Sequence, residues 1–391
     1  MSEQLGRSSA AEPVAAPPRN AAEERFLLAA PSRRLEAAGC LARLPAGRAD
    51  TLGARVARFF AASAGGPGLL VGALPFDPER DDALYQPARV GAWTAPAPGR
   101  ATPVPGTAIP EPDASAYADA VARCVARIGA GDDGLRKAVL ARSLRVEAAA
   151  AVDPYRLAAR LGEDPSVTTY VVPLPVAAGE APAWLVGASP ELLVSRRGDA
   201  VVSHPLAGSA RRSRDAGEDA RAAEALLASA KDHDEHRYVV EAILDALAPL
   251  CRQLQAPARP SLHATATMWH LGTYIAGTLK DREVSAAQLA GLLHPTPAVC
   301  GTPRPAALAA IRALEPVDRG FYAGAVGWAD AAGDGDWYVS IRCARVQGRA
   351  MRLFAGAGIV AGSQPDAEVD ETAAKFMALL NALGLDGVRT A

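Results

Sequence analysis

Between Ser189 and His236 the chain sets carboxylates, imidazoles and a glycine-rich turn close together. Ser189-Pro190-Glu191 leads to Pro205-Leu206-Ala207-Gly208-Ser209-Ala210-Arg211-Arg212, and then to Lys231-Asp232-His233-Asp234-Glu235-His236. Residues of these types can move protons, hold a hard cation or bind an anion through backbone amides. The intervening segment predicts a β-hairpin. Leu192-Leu193-Val194 enters the turn Arg196-Arg197-Gly198-Asp199, and Val201-Val202 leaves it. Such pairing returns Pro205 opposite Glu191 and places a glycine-rich loop, 206–209, beside the carboxylate. Glu191 is then either a solvated strand-end acid or a carboxyl in a cleft, where it would hold its proton and act as an acid.

Other residues invite the same two-sided reading. Lys137 shares a predicted strand face with Leu135, Val139 and Ala141. It either snorkels at a sheet edge or is desolvated, and a desolvated lysine loses its proton more readily and becomes a usable base. Glu235 sits in a charged helical run that would ordinarily be a solvated face. Glu368, Glu371 and Lys375 share one face of the last helix, and Glu371 with Lys375 has the spacing of an ordinary stabilising pair. Arg342 alternates away from Val339, Ile341 and Cys343, and a turn at Gln347-Gly348 brings it near Phe354-Ala355-Gly356. A guanidinium beside glycine amides suits a carboxylate. His270, in Trp269-His270-Leu271, reads as a core histidine or as a site residue. The Asp/Gly-rich stretch 330–336 lacks calcium-loop spacing and reads as a hairpin turn. His233 and His236 do not form a zinc motif, and Ala355-Gly356-Ala357-Gly358 is not a dinucleotide fingerprint.

The elements that must position these groups can be sketched from periodicity. Leu69 to Ala73 predicts a buried strand ending at Pro75. Residues 94–113 hold too many prolines for regular structure. Asp113 or Ser115 caps a helix to about Ile128, and Leu135 to Val146 alternates as a strand. A helix is expected over 219–252. Strands at 323–329, 337–346 and 351–360 form a meander, closed by a helix opened by Ser363 and Pro365. The pattern is α+β: large antiparallel sheets packed as a sandwich-like core with helices outside, without a βαβ series. The expected organisation is a disordered tail over 1–25 and one catalytic domain over 26–391.

Composition narrows the function. The chain has 391 residues, 50% hydrophobic and 21% charged, with a net charge of -2. That charge offers no basic surface for nucleic acid or for a membrane. No apolar run approaches the roughly 20 residues of a membrane span, and no signal core is evident near Met1. The five scattered cysteines fit neither a disulfide framework nor zinc spacing, so reduced thiols in the cytoplasm are expected.

Taken together, the motifs resemble those of the chorismate-utilising enzymes. The resemblance rests on Leu135–Arg142, Ser189-Pro190-Glu191, Pro205–Arg212, Lys231–His236, Trp269-His270-Leu271, His294–Gly301, Phe321–Arg345, Ala355–Val360 and Glu368–Lys375. Within the family the pattern is most similar to isochorismate synthases of the siderophore type. Aminating members carry Gln where this chain has Lys137. They also read Gly-Ala-Pro-Lys where this chain has Gly301-Thr302-Pro303-Arg304. The resemblance implies a substrate, chorismate, converted to isochorismate. Lys137 would be the base and Glu191 the acid. Glu235 and Glu371 would hold one Mg2+. It further implies substrate contacts from Gly208, Ser209, Arg342, Gly356 and Lys375, with Ala298 and Tyr322 shaping the pocket and His270 nearby. A monomer is implied, with a downstream isochorismatase as partner. Two other readings stay open: a salicylate synthase, which would also eliminate pyruvate, and a non-catalytic chorismate-binding scaffold.

Overall fold

The computed structural model describes residues 24–31, 33–63, 65–94 and 106–385. The tail expected over 1–25 lies outside these as far as residue 23, and Arg25 already opens the first strand. In chain order the elements begin β1 (Arg25–Ala30), β2 (Arg33–Arg43), α1 (Leu52–Ala62), β3 (Leu69–Leu74), β4 (Ala83–Gly91), β5 (Gly106–Glu111) and α2 (Ala114–Ala130). They continue with β6 (Lys137–Ala148), α3 (Pro154–Leu161), β7 (Thr168–Leu174), β8 (Ala183–Ser189), β9 (Leu192–Arg197), β10 (Ala200–His204) and β11 (Leu206–Arg211). Next come α4 (Ala216–Ala228), α5 (Ala230–Leu247), β12 (Cys251–Gln255), β13 (Ser261–Ala264), β14 (Met268–Gly272), β15 (Ile275–Leu279) and α6 (Ala286–Leu293). The last are β16 (Gly301–Thr302), α7 (Arg304–Leu314), β17 (Ala325–Asp330), β18 (Gly335–Val339), β19 (Cys343–Gln347), β20 (Ala350–Ile359) and α8 (Pro365–Leu383).

Every strand pairing among the described residues is antiparallel. A single ladder runs β5-β6-β20-β19-β8-β7-β1-β2-β4-β3-β17-β18-β9-β10-β15-β12. The short strand β16 pairs with the start of β6, on the edge that β20 leaves free. One apolar core joins Val71 and Trp328 from one half of this sheet to Leu140 and Ile359 from the other, so the halves face each other across it. A second core packs Val146 and Val186 against Leu157 of α3 and Phe376 and Leu380 of α8. A separate sheet, in the order β11-β14-β13, lies beside α4 and α5. The antiparallel α+β expectation is met, and the helices are caps and covers rather than crossovers.

Four local expectations are corrected. The helix expected over 219–252 is two helices: Ser229 leaves helical geometry and its Oγ accepts from the Asp232 amide, starting α5 afresh, while Cys251 opens a strand. The strand expected over 337–346 is broken at Ser340–Arg342, where Arg342 has a φ of 49°. Residues 206–209, expected as a loop, belong to strand β11, with a register shift between Leu206 and Ser209. Part of the proline-rich segment is strand β5. Among the described residues it pairs only with β6, so Pro110 lies on an edge strand, where a missing N–H is tolerated.

Gly301 fixes the start of β6. Its φ is 139°, and a Cβ there would fall 2.1 Å from the Lys137 carbonyl oxygen. Backbone cannot yield as a side-chain tip can. Gly301→Ala is therefore expected to destabilise the fold by about 2–4 kcal/mol, read as a lowered denaturation midpoint at unchanged m-value.

Candidate active site

The sequence-predicted residues converge where β11 and β14 approach α5, α8 and the end of β20. The hairpin β9–β10 shifts register between Val202 and His204, which sets His204 opposite Leu192 and so returns Pro205 to Glu191. Glu191 and its neighbour Pro190 form one wall of a small cavity. Gly208 and Ser209 form another; Gly208 has a φ of 78°, and a Cβ on it would crowd Asp232 of α5 at 2.9 Å. Glu235 enters from α5, and Glu371 and Lys375 enter from α8. The circuit is completed by His270, Ala298, Tyr322, Arg342 and Gly356. The free space enclosed is about 50 Å3, and two larger cavities of about 610 Å3 abut it. One shares Pro190 and Arg342 with it, the other Ser209 and Glu371.

Lys137 alone of the twelve predicted residues is not on the cavity wall. It is completely buried one layer behind, so it does not snorkel. Its Nζ lies 3.1 Å from Glu235 Oε1, in ion-pair contact but without a hydrogen-bond partner. Gly358 makes this arrangement possible: a Cβ there would sit 1.9 Å from Glu235 Oε1 and 3.1 Å from Lys137 Cε. The glycines of β20 therefore leave room for side chains from α5 and β6.

Electrostatics divides the groups. Burial pushes the Glu191 carboxyl up to about 8, against the Leu206 amide, Lys137, Arg342 and Lys375, which favour its charged form. Glu371 goes the other way. Burial opposes its charge, but Lys375, Lys231 and the hydrogen bonds from Lys375 and Ser209 outweigh it and hold its pKa below the usual value. Next to it, burial and the Glu371 charge raise Glu368 to about 7 despite its 2.7 Å bond from Lys231. Burial, with Arg342 and Lys375, keeps His270 well below its ordinary pKa. Neutral His270 can thus accept at Nε2 from Arg342 Nη2, 3.4 Å away. Arg342 reaches this place because its left-handed backbone turns it off the strand course. Lys375 Nζ donates to the Gly356 carbonyl at 2.8 Å.

The sequence reading missed Val139, Val299 and Ile341 on the wall. Val139 was within reach, since it lies two residues beyond Lys137 on the same strand face. Val299 and Ile341 lie in irregular segments with no periodicity to reveal them. The bond between Lys231 and Glu368, joining α5 to α8, carried no sequence signal. His236 Nε2 pairs with Thr273 Oγ1 at 2.7 Å. The 330–336 stretch is the turn between β17 and β18, as expected.

A cavity lined by a buried carboxyl that holds its proton, two cations and two further carboxylates, with a buried lysine behind one of them, is suited to an anionic substrate. The family model described as "Chorismate binding enzyme" matches residues 94–384, and the chain belongs to that family. Its relatives narrow the class. It is 44% identical over 379 residues to the isochorismate synthase DhbC of Bacillus subtilis, covering 93% of this chain and 94% of that protein. It is 41% identical over 322 residues to the vibriobactin-specific isochorismate synthase of Vibrio cholerae, covering 81% and 80%. The crystal structure of DhbC from Bacillus anthracis superimposes with a TM-score of 0.88 at 42% identity, covering 94% of this chain and 98% of that one.

Proposed function

We propose that this chain is an isochorismate synthase, an isomerase that converts chorismate to isochorismate. The observation that carries the reading is a fully buried lysine, Lys137, within electrostatic reach of a wall carboxyl, Glu191, that stays protonated to about pH 8. Hydration at C2 with loss of the C4 hydroxyl requires one proton to be taken and another given. Lys137 takes the proton from the water whose oxygen bonds to C2. The ring double bonds shift, the C4–O bond breaks, and Glu191 donates its proton to the departing hydroxyl, which leaves as water. Arg342 and Lys375 offer cations to the substrate carboxylate farther from Glu235, and Gly208 and Ser209 offer backbone amides. Tyr322 and Ala298 bound the ring, and His270 orients Arg342.

The donor set fits Mg2+. Among the described residues no group of three or more His, Cys, Asp or Glu is arranged to hold a metal by itself. Glu235 and Glu371 do line one cavity, and two carboxylates completed by water and substrate oxygens are a magnesium arrangement. Bound there, the ion supplies charge neutralisation and orientation for the ring carboxylate. Gly358→Ala is expected to push Glu235 aside, raising the Mg2+ concentration for half-maximal activity at least about tenfold. Titration of activity with Mg2+ checks this.

The relationship to DhbC and to the vibriobactin-specific enzyme supports a role in siderophore assembly, with an isochorismatase consuming the product. The resemblance to the family makes a monomer the expected catalytic unit. No helix among the described residues is long and apolar enough to cross a membrane. The five cysteines are free thiols, which suits the reducing cytoplasm. The test is product analysis after incubation with chorismate and Mg2+. Isochorismate alone is expected. Salicylate with pyruvate would make the protein a salicylate synthase, and binding without turnover a scaffold.

A further inference from the structure

Strand β6 is paired with β20 along one edge from Ala138 to Glu147. On its other edge β16 covers Lys137 and Ala138, and β5 covers Ser143 to Ala148. Over Val139 to Arg142 no described strand lies against that edge, although the Val139 amide itself donates to the Cys300 carbonyl at 2.8 Å. Unpaired peptide groups would be costly in so buried a place. Two side chains from the end of α7 and the connection after it fill the gap. Arg319 Nη2 donates to the Val139 carbonyl at 2.6 Å, and Glu315 Oε1 accepts from the Ala141 amide at 2.7 Å. Arg319 Nε in turn donates to Glu315 Oε2 at 2.9 Å.

The same guanidinium reaches the opposite segment. Arg319 Nη1 donates to the Val299 carbonyl at 2.8 Å. Val139 and Val299 both line the catalytic cavity. The Arg319 and Glu315 side chains are 4% and 6% exposed, and the guanidinium carbon lies 4.1 Å from the Phe76 ring centroid and 5.9 Å from that of Tyr322. One planar fork thus ties the Lys137 strand, the 298–299 wall and the Tyr322 turn at fixed separations. We propose that Arg319 and Glu315 are positioning residues for the reaction, a side-chain surrogate for the missing strand that sets where Lys137 stands relative to the ring. A lysine cannot replace the fork, because one ammonium on a flexible stem does not fix two carbonyls and a carboxylate in a plane. Arg342, just before β19, and Lys375 of α8 receive no hydrogen bond from this clamp.

This inference rests on the isochorismate synthase reading. The test uses the full chain with Mg2+, and compares wild type with Arg319→Lys and Glu315→Gln. Arg319→Lys is expected to lose kcat about tenfold or more with KM for chorismate within about twofold, since misplacement of a reacting group costs rate rather than grip. Hydrogen exchange over 136–142 and 297–302 should quicken in the same variant, while 350–359 stays protected. Folded variants with wild-type kcat and wild-type exchange overturn the proposal, as does a loss explained wholly by a smaller folded fraction. If Arg319→Lys does not fold, Glu315→Gln decides on the same criteria, because it keeps an acceptor for the Ala141 amide and weakens the hold on Arg319. If the wild type makes no isochorismate, the functional reading fails instead, and the exchange rates alone decide the clamp.

Discussion

Lys137→Gln is expected to lower kcat for isochorismate formation by about 10^2–10^4-fold, the usual worth of a general base. Glutamine has nearly the length of lysine without its last methylene, and it stays polar, but it cannot accept a proton from water. Chorismate binding should change little, because Lys137 is behind the wall and the wall supplies the cations Arg342 and Lys375. The substitution also removes the amine 3.1 Å from Glu235 Oε1. An uncompensated buried carboxylate destabilises a fold, so the denaturation midpoint without Mg2+ should fall and be restored by Mg2+. Steady-state kinetics, with calorimetric binding of chorismate, separates the two effects. Full activity in this variant would remove the base from the mechanism.

Glu191→Gln is expected to cost kcat by a similar order, about 10^2–10^4-fold, while making the protein more stable at alkaline pH. In the folded chain burial raises the Glu191 pKa to about 8, whereas the unfolded chain has an ordinary carboxyl near 4.5. Between these values the folded state holds a proton that unfolding releases. Stability from this group is therefore fully present below pH 4.5 and is lost as pH rises, at up to about 1.4 kcal/mol per unit, levelling off above 8. Glutamine has no such slope. Activity follows the same titration: the protonated acid is needed, so wild-type kcat/KM should fall about tenfold per unit above pH 8. A flat alkaline limb in the wild type, or an alkaline limb unchanged in Glu191→Gln, would contradict the assignment.

How much of this was legible in the sequence depended on whether local chemistry or distant packing set the geometry. The turn within Arg196-Arg197-Gly198-Asp199 made its hairpin locally legible, and Glu191 met the 206–209 segment as expected, but by way of a register shift between Val202 and His204 that no local signal announced. Asp113 capped α2 through its own side chain. Ser229, by contrast, has the same capping ability but sits amid good helix formers, so apolar periodicity masked the break. Arg342 defeated alternation because its direction is set by a left-handed kink between Gly324, Ser340 and Ala188, contacts far apart in sequence. Of the site residues, Lys137 was expected in the cavity itself and lies behind Glu235, a depth that follows only from how α5 docks on Gly358. The clamp of Arg319 and Glu315 leaves no periodic trace, because its partners are backbone atoms some 20 to 180 positions away.

The central claim, that water supplies the new hydroxyl while the C4 hydroxyl departs, is tested most directly by isotope transfer. The protein would be incubated with chorismate and Mg2+ in water enriched in oxygen-18, with an EDTA control, and the product examined by mass spectrometry. The account predicts isochorismate carrying one oxygen-18 at C2, with formation abolished by EDTA and restored by added Mg2+. Isochorismate that retains the original oxygen, or turnover untouched by EDTA, would contradict it.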